Sequence, residues 1–140
     1  MTEITEIHNQ IRYSVHPTAF VAALICAPLA VTALTFWTVL GLFALPFGIL
    51  PYLVIGTPLL LWAVGHIKPR FGAYALLGLA GNFIMAAVIG IVTLANGNID
   101  QANEAIVFFA GFGMIFAPLY GGTFGSLYAS FHPNIRILRT

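Results

Sequence analysis

The chain has 140 residues, 60% of them hydrophobic and 6% charged, and its five Lys and Arg against four Asp and Glu leave a formal net charge of +1. Soluble domains carry about 25% charged residues, and a mean hydropathy of +0.98 leaves too little polar surface to cover a soluble fold of this size. A soluble globular protein is thereby excluded, and the near-balanced charge gives no basic patch of the kind nucleic acid requires.

The charged residues are clustered. No Asp, Glu, Lys or Arg occurs between Tyr13 and Ile67, between Phe71 and Ile99, or between Ala105 and Ile135. A helix crosses a bilayer with about 20 apolar residues, so the first stretch holds two spans and the others one each. The expectation is an all-α membrane protein, a compact four-transmembrane-helix bundle with spans over 17–40, 46–66, 71–95 and 103–131. Residues 1–140 then form a single integral membrane domain.

At the start of the chain, Ile4, Ile7, Ile11 and Val15 recur at helical spacing, with Glu3 and Glu6 early. Acidic side chains favour a helix N-terminus, and the pattern predicts a short amphipathic interfacial helix over 1–16. These acidic residues, and the long apolar run behind them, do not fit a signal peptide. Cys26 stands alone and implies nothing about redox compartment; Ile25 is too bulky for a lipoprotein cleavage site.

The segment "GLFALPFGILP" (41–51) reads as a tight outer turn, after which Pro51 and Pro58 interrupt the second helix. Proline removes a backbone hydrogen bond and kinks a helix. "GHIKPRFG" and "NGNIDQANE" read as the two later connections. With four spans, Arg12, Lys68, Arg70, Arg136 and Arg139 fall on one side, and Asp100 and Glu104 on the other. The positive-inside rule makes the first side cytoplasmic and places both termini there. Trp37 and Tyr52 are expected near the outer interface, and Trp62, Tyr74 and Tyr128 near the inner one.

The last span carries Gly113, Ala117, Gly121, Gly125 and Ala129, one small residue every fourth position. Residues four apart share a helix face, and in lipid small residues let backbones approach closely. The third span has a matching row of Gly78, Asn82, Ala86 and Gly90, and the first has Ala19, Ala23 and Ala27. These rows are assigned to helix packing, within the bundle or against another membrane protein or a second copy.

No Asp, Glu, Lys or Arg lies at membrane depth, where ion-coupled transporters place such groups. No nucleophile motif, phosphate loop or redox cysteine pair occurs. Neither catalytic residues nor a metal or other cofactor are expected. Asn82 is the most polar side chain at depth. Together with Tyr120 and Thr123 it is the candidate lining of a polar path. His16, His66 and His132 join Arg12, Lys68, Arg70, Arg136 and Arg139 on the basic side, a set suited to anionic lipid headgroups or a partner.

Three functions follow from this inventory. The leading one is a non-catalytic accessory or scaffold component of a bacterial inner membrane. The second is a passive oligomeric channel or small-solute carrier lined by Asn82, Tyr120 and Thr123. The third is an interfacial lipid-acting enzyme using His66 or His132, which lacks a carboxylate to orient the imidazole.

Overall fold

The computed structural model describes residues 12–97, 99–132 and 137–138. Four helical segments are long and apolar enough to cross a membrane, at Pro17–Thr35, Leu45–His66, Phe71–Ala95 and Ile99–Phe131. The chain is therefore an all-helical multi-pass membrane protein by length and composition. The expected interfacial helix over 1–16 lies mostly outside the described residues. At its described end the backbone is extended: β1 (Arg12–Tyr13) pairs antiparallel with β2 (Ile137–Leu138), and His16 is in the β region. Pro17 accounts for the latter, since its ring excludes the helical conformation from the residue before it.

Helix α1 spans Pro17–Thr35, starting with proline in its first turn, where the missing N–H has no partner to lose. It ends five residues short of the expected boundary at residue 40. Thr38 is the reason: its side-chain oxygen accepts from Gly41 N–H at 3.2 Å and so caps a new helix. That helix, α2 (Val39–Pro51), covers the segment expected to be the outer turn; the turn itself is Phe36–Thr38. Gly41 belongs at this corner because a Cβ there would overlap the carbonyl of Thr35.

The prolines do not break the second span. Between α2 and α3 (Thr57–His66) the helix widens into a π-helical segment at Tyr52–Gly56, where Thr57 N–H donates to the Tyr52 carbonyl five residues back. A wide turn absorbs the hydrogen bond that Pro58 cannot make. Tyr52 thus sits within one continuous helical rod and is buried against the rest of the bundle.

Helix α4 spans Phe71–Ala95 and α5 spans Ile99–Phe131. At about 1.5 Å per residue α5 is about 50 Å long, well beyond a hydrocarbon layer of about 30 Å; its first turns carry Asp100 and Glu104 out of the layer. Helix α5 is the axis of the fold. Its most extensive interface is with α4, its next with α1, and it touches α2 much less.

Two rows on α5 explain this. The small row faces α4 in antiparallel register. Gly125 lies against the Arg70 carbonyl and Tyr74, Gly121 against the Tyr74 carbonyl, Ala117 against Gly78, and Gly113 against Asn82. A Cβ at Gly78 would overlap the Ala117 carbonyl, and one at Gly121 would come within 3.2 Å of Gly78 Cα. Further along, Gly90 meets Ile106. Ala86 is buried, and Ala129 is half-buried. On α1, Ala19, Ala23 and Ala27 are buried, and Phe20 packs edge-on to Phe124 of α5 with centroids 5.3 Å apart.

Candidate functional site: a mid-membrane cleft

One residue out of phase with the small row, α5 carries a second row: Phe108, Phe112, Phe116, Tyr120, Phe124 and Tyr128. Successive rings contact one another at most steps, closest at Phe112–Phe116 with centroids 4.6 Å apart. The two rows divide the labour of α5. Small residues admit α4 to backbone contact, and the aromatic ridge holds α2 and the π-helical segment away.

The result is a cleft between α2, the π-helical segment and α3 on one wall and α4 and α5 on the other. It contains a cavity of ≈ 70 Å³ within ≈ 650 Å³ of total space, its open mouth included. Gly48, Gly81 and Gly113 bring backbone to its surface, and Phe109, Phe112 and Phe116 supply aromatic walls. Apart from Tyr52, Asn82 and Tyr120 the lining is apolar.

These three polar residues differ in state. Asn82 Nδ2 donates to the Ala110 carbonyl at 3.3 Å, and its side chain is seated so closely on Gly113 that a Cβ there would overlap Oδ1. Its amide is engaged in the α4–α5 seam. Tyr52 and Tyr120 are 8% and 3% exposed, and their rings meet edge-on with centroids 5.6 Å apart. Neither hydroxyl has a hydrogen-bond partner. Thr32 of α1 is the side-chain hydrogen-bonding neighbour of the Tyr120 hydroxyl, although the pair falls outside strict hydrogen-bond geometry. A buried hydroxyl without a partner costs roughly 1–3 kcal/mol, a cost borne by Tyr52 on one wall of the cleft and by Tyr120 on the other. Of the residues expected to line a polar path, the cleft brings together Asn82 and Tyr120 and leaves Thr123 out.

A second cluster forms where α1 begins and α5 ends. The rings of His16 and His132 meet edge-on with centroids 5.3 Å apart, and the His16 backbone N–H donates to Tyr128 Oη at 3.1 Å. Thr18 Oγ1 lies 2.8 Å from His16 Nδ1. His66 is not part of this group: its ring stacks on Trp62 at 5.0 Å, with Nδ1 2.8 Å from the Trp62 carbonyl. Lys68 and Arg70 are exposed at the same end of the bundle. Arg136 and Arg139 lie outside the described residues, as does the Arg12 side chain. Among the described residues, no three His, Cys, Asp or Glu side chains gather as a metal site requires.

Sequence reading missed Tyr52 as a partner of Tyr120, because only the π-helical segment turns it toward α5. The aromatic row at every fourth position was the available signal for the ridge. Compared with family models, curated proteins and solved structures, the chain matches none.

Proposed function

We propose that this multi-pass protein resides in a bacterial inner membrane with both termini cytoplasmic, and that it acts as a non-catalytic accessory component of a membrane assembly. The observation that carries this reading is the use of α5. Its small row is filled by α4, and the alanine row of α1 is buried. The bundle is a tight unit whose outward faces are large apolar side chains, such as Leu34, Leu76 and Val107. Such a unit meets lipid or another membrane protein, and its role follows from what it holds in place.

Orientation rests on charge. His66, Lys68 and Arg70 share one end with His16 and His132, and Asp100 and Glu104 begin α5 at the other. Basic residues favour the cytoplasmic face, where anionic headgroups attract them. A path for polar solutes fits the cleft less well, since its walls are apolar apart from the three residues described.

Purification in mild detergent, with mass spectrometry of everything that co-elutes, tests the accessory role. A stoichiometric larger membrane protein supports it. A clean monomer or homo-oligomer overturns it.

A further inference from the structure

We infer that the corner between α3 and α4 holds the headgroup of an anionic glycerophospholipid, whose phosphate Lys68 and Arg70 bind together. This site rests on the charge distribution that orients the chain, though not on which side is cytoplasmic, and it is independent of the accessory role.

The corner is residues 67–70. Pro69 keeps Lys68 out of the helical conformation, and the backbone of Ile67 and Arg70 is extended as well. Pro69 is buried, while Lys68 and Arg70 on either side of it are exposed. Their Cα atoms are no more than about 7 Å apart, so two long side chains can close on one phosphate. Arg supplies a planar fork of donors matched to phosphate oxygens, and Lys a compact charge. Asp100 and Glu104, the acidic residues among those described, begin α5 at the opposite end and neutralise neither cation.

The backbone that carries the pair is fixed before any ligand arrives. The Ile67 N–H donates to the Ala63 carbonyl at 2.6 Å, and the Ile67 carbonyl accepts from the Tyr74 hydroxyl at 3.3 Å. Tyr74 is fully buried, and Gly125 of α5 packs against the Arg70 carbonyl. Binding then has only the two side chains to order.

The surroundings select a lipid over a soluble anion. His66 ends one apolar span and Phe71 begins the next, so the corner lies at the headgroup plane. Just inside it, Trp62, Phe71 and Leu76 turn large apolar surface outward. The Trp62 ring is held there by stacking on His66 with centroids 5.0 Å apart, at the depth indole favours. An anionic head with acyl chains meets both the cations and this apolar surface, whereas a free phosphate meets only the cations. A zwitterionic lipid brings the same phosphate with its own ammonium and gains less from the pair.

Trp62 is also the reporter, since the chain has two tryptophans and the other, Trp37, lies in the turn at the far end. The full chain carrying Trp37→Phe is reconstituted in phosphatidylcholine vesicles. Quenching of Trp62 is compared for acyl-brominated phosphatidylglycerol and acyl-brominated phosphatidylcholine at equal mole fraction. Phosphatidylglycerol should be favoured about fivefold or more in relative association constant, the scale of one basic residue near an anionic surface. Lys68→Gln combined with Arg70→Gln should remove the preference. Both side chains are exposed and Arg70 makes no capping bond, so the SDS-titration midpoint should not move, which separates lost binding from lost fold. A Trp62→Phe protein, read through Trp37, should show no preference. Inorganic phosphate should weaken the preference no more than chloride at equal ionic strength. The vesicles offer both leaflets the same lipids, so a negative result leaves the orientation and the accessory role standing. No preference at Trp62, a preference that survives the double substitution, an equal preference at Trp37, or specific displacement by inorganic phosphate overturns the proposal.

Discussion

Replacing Gly121 by alanine should separate α4 from α5. A Cβ at this position would overlap the Tyr74 carbonyl and come within 3.2 Å of Gly78 Cα. Both obstacles are backbone, so no side-chain rotation relieves them. Overpacking of this kind costs up to about 3 kcal/mol. Alanine offsets part of that, being better than glycine in a helix by about 1 kcal/mol, so a net loss of about 2 kcal/mol is expected. Gly111 provides the internal control. It lies on the same helix with nothing within 4 Å of its Cβ direction, so Gly111→Ala should be neutral or stabilising by up to about 1 kcal/mol. Reversible unfolding by SDS titration from mixed micelles reads both. If Gly121→Ala proves as stable as Gly111→Ala, close backbone approach is not what these glycines provide.

Asn82 and Gly113 should behave as a coupled pair. Gly113→Ala alone forces the Asn82 side chain out of its seat; in an Asn82→Ala background the same change should cost little, giving a coupling energy of about 1 kcal/mol or more in a double-mutant cycle. Tyr128→Phe removes the acceptor of the His16 N–H and should lower stability by about 1 kcal/mol in the same titration. Topology is read by cysteine labelling in a Cys26→Ser background. An impermeant maleimide added outside intact cells should modify Asp100→Cys and spare Lys68→Cys. Labelling of both from the same side would refute the four-span arrangement.

Some of this molecule is legible without coordinates. A span is a local property: twenty-odd residues without charge have to satisfy their backbone internally and so form a helix in lipid. That is why charge-free stretches alone predict four apolar helices, and why the uninterrupted run from Phe71 to Ala95 needs no tertiary information. Proline and glycine were less readable. "GLFALPFGILP" carries turn residues, yet it is helical from the cap that Thr38 provides. Pro51 and Pro58 predict an interruption, but only packing decides that it takes the form of a widened turn.

The tertiary structure decided which residues act together. Periodicity places Gly113 and Gly121 on one face of α5, but the register that sets Gly121 on the Tyr74 carbonyl belongs to the pair of helices. Likewise, Asn82 is the most polar side chain at depth in the sequence, and in the fold its amide is held by Ala110 while Tyr52 and Tyr120 carry the unpartnered hydroxyls. His16 and His132 meet because α1 and α5 begin and end side by side, and His66 turns to its own helix. Hydrophobicity and charge act residue by residue and are written in the chain. A hydrogen bond, a steric overlap or a cleft depends on two surfaces at once, and it exists only when distant segments have packed.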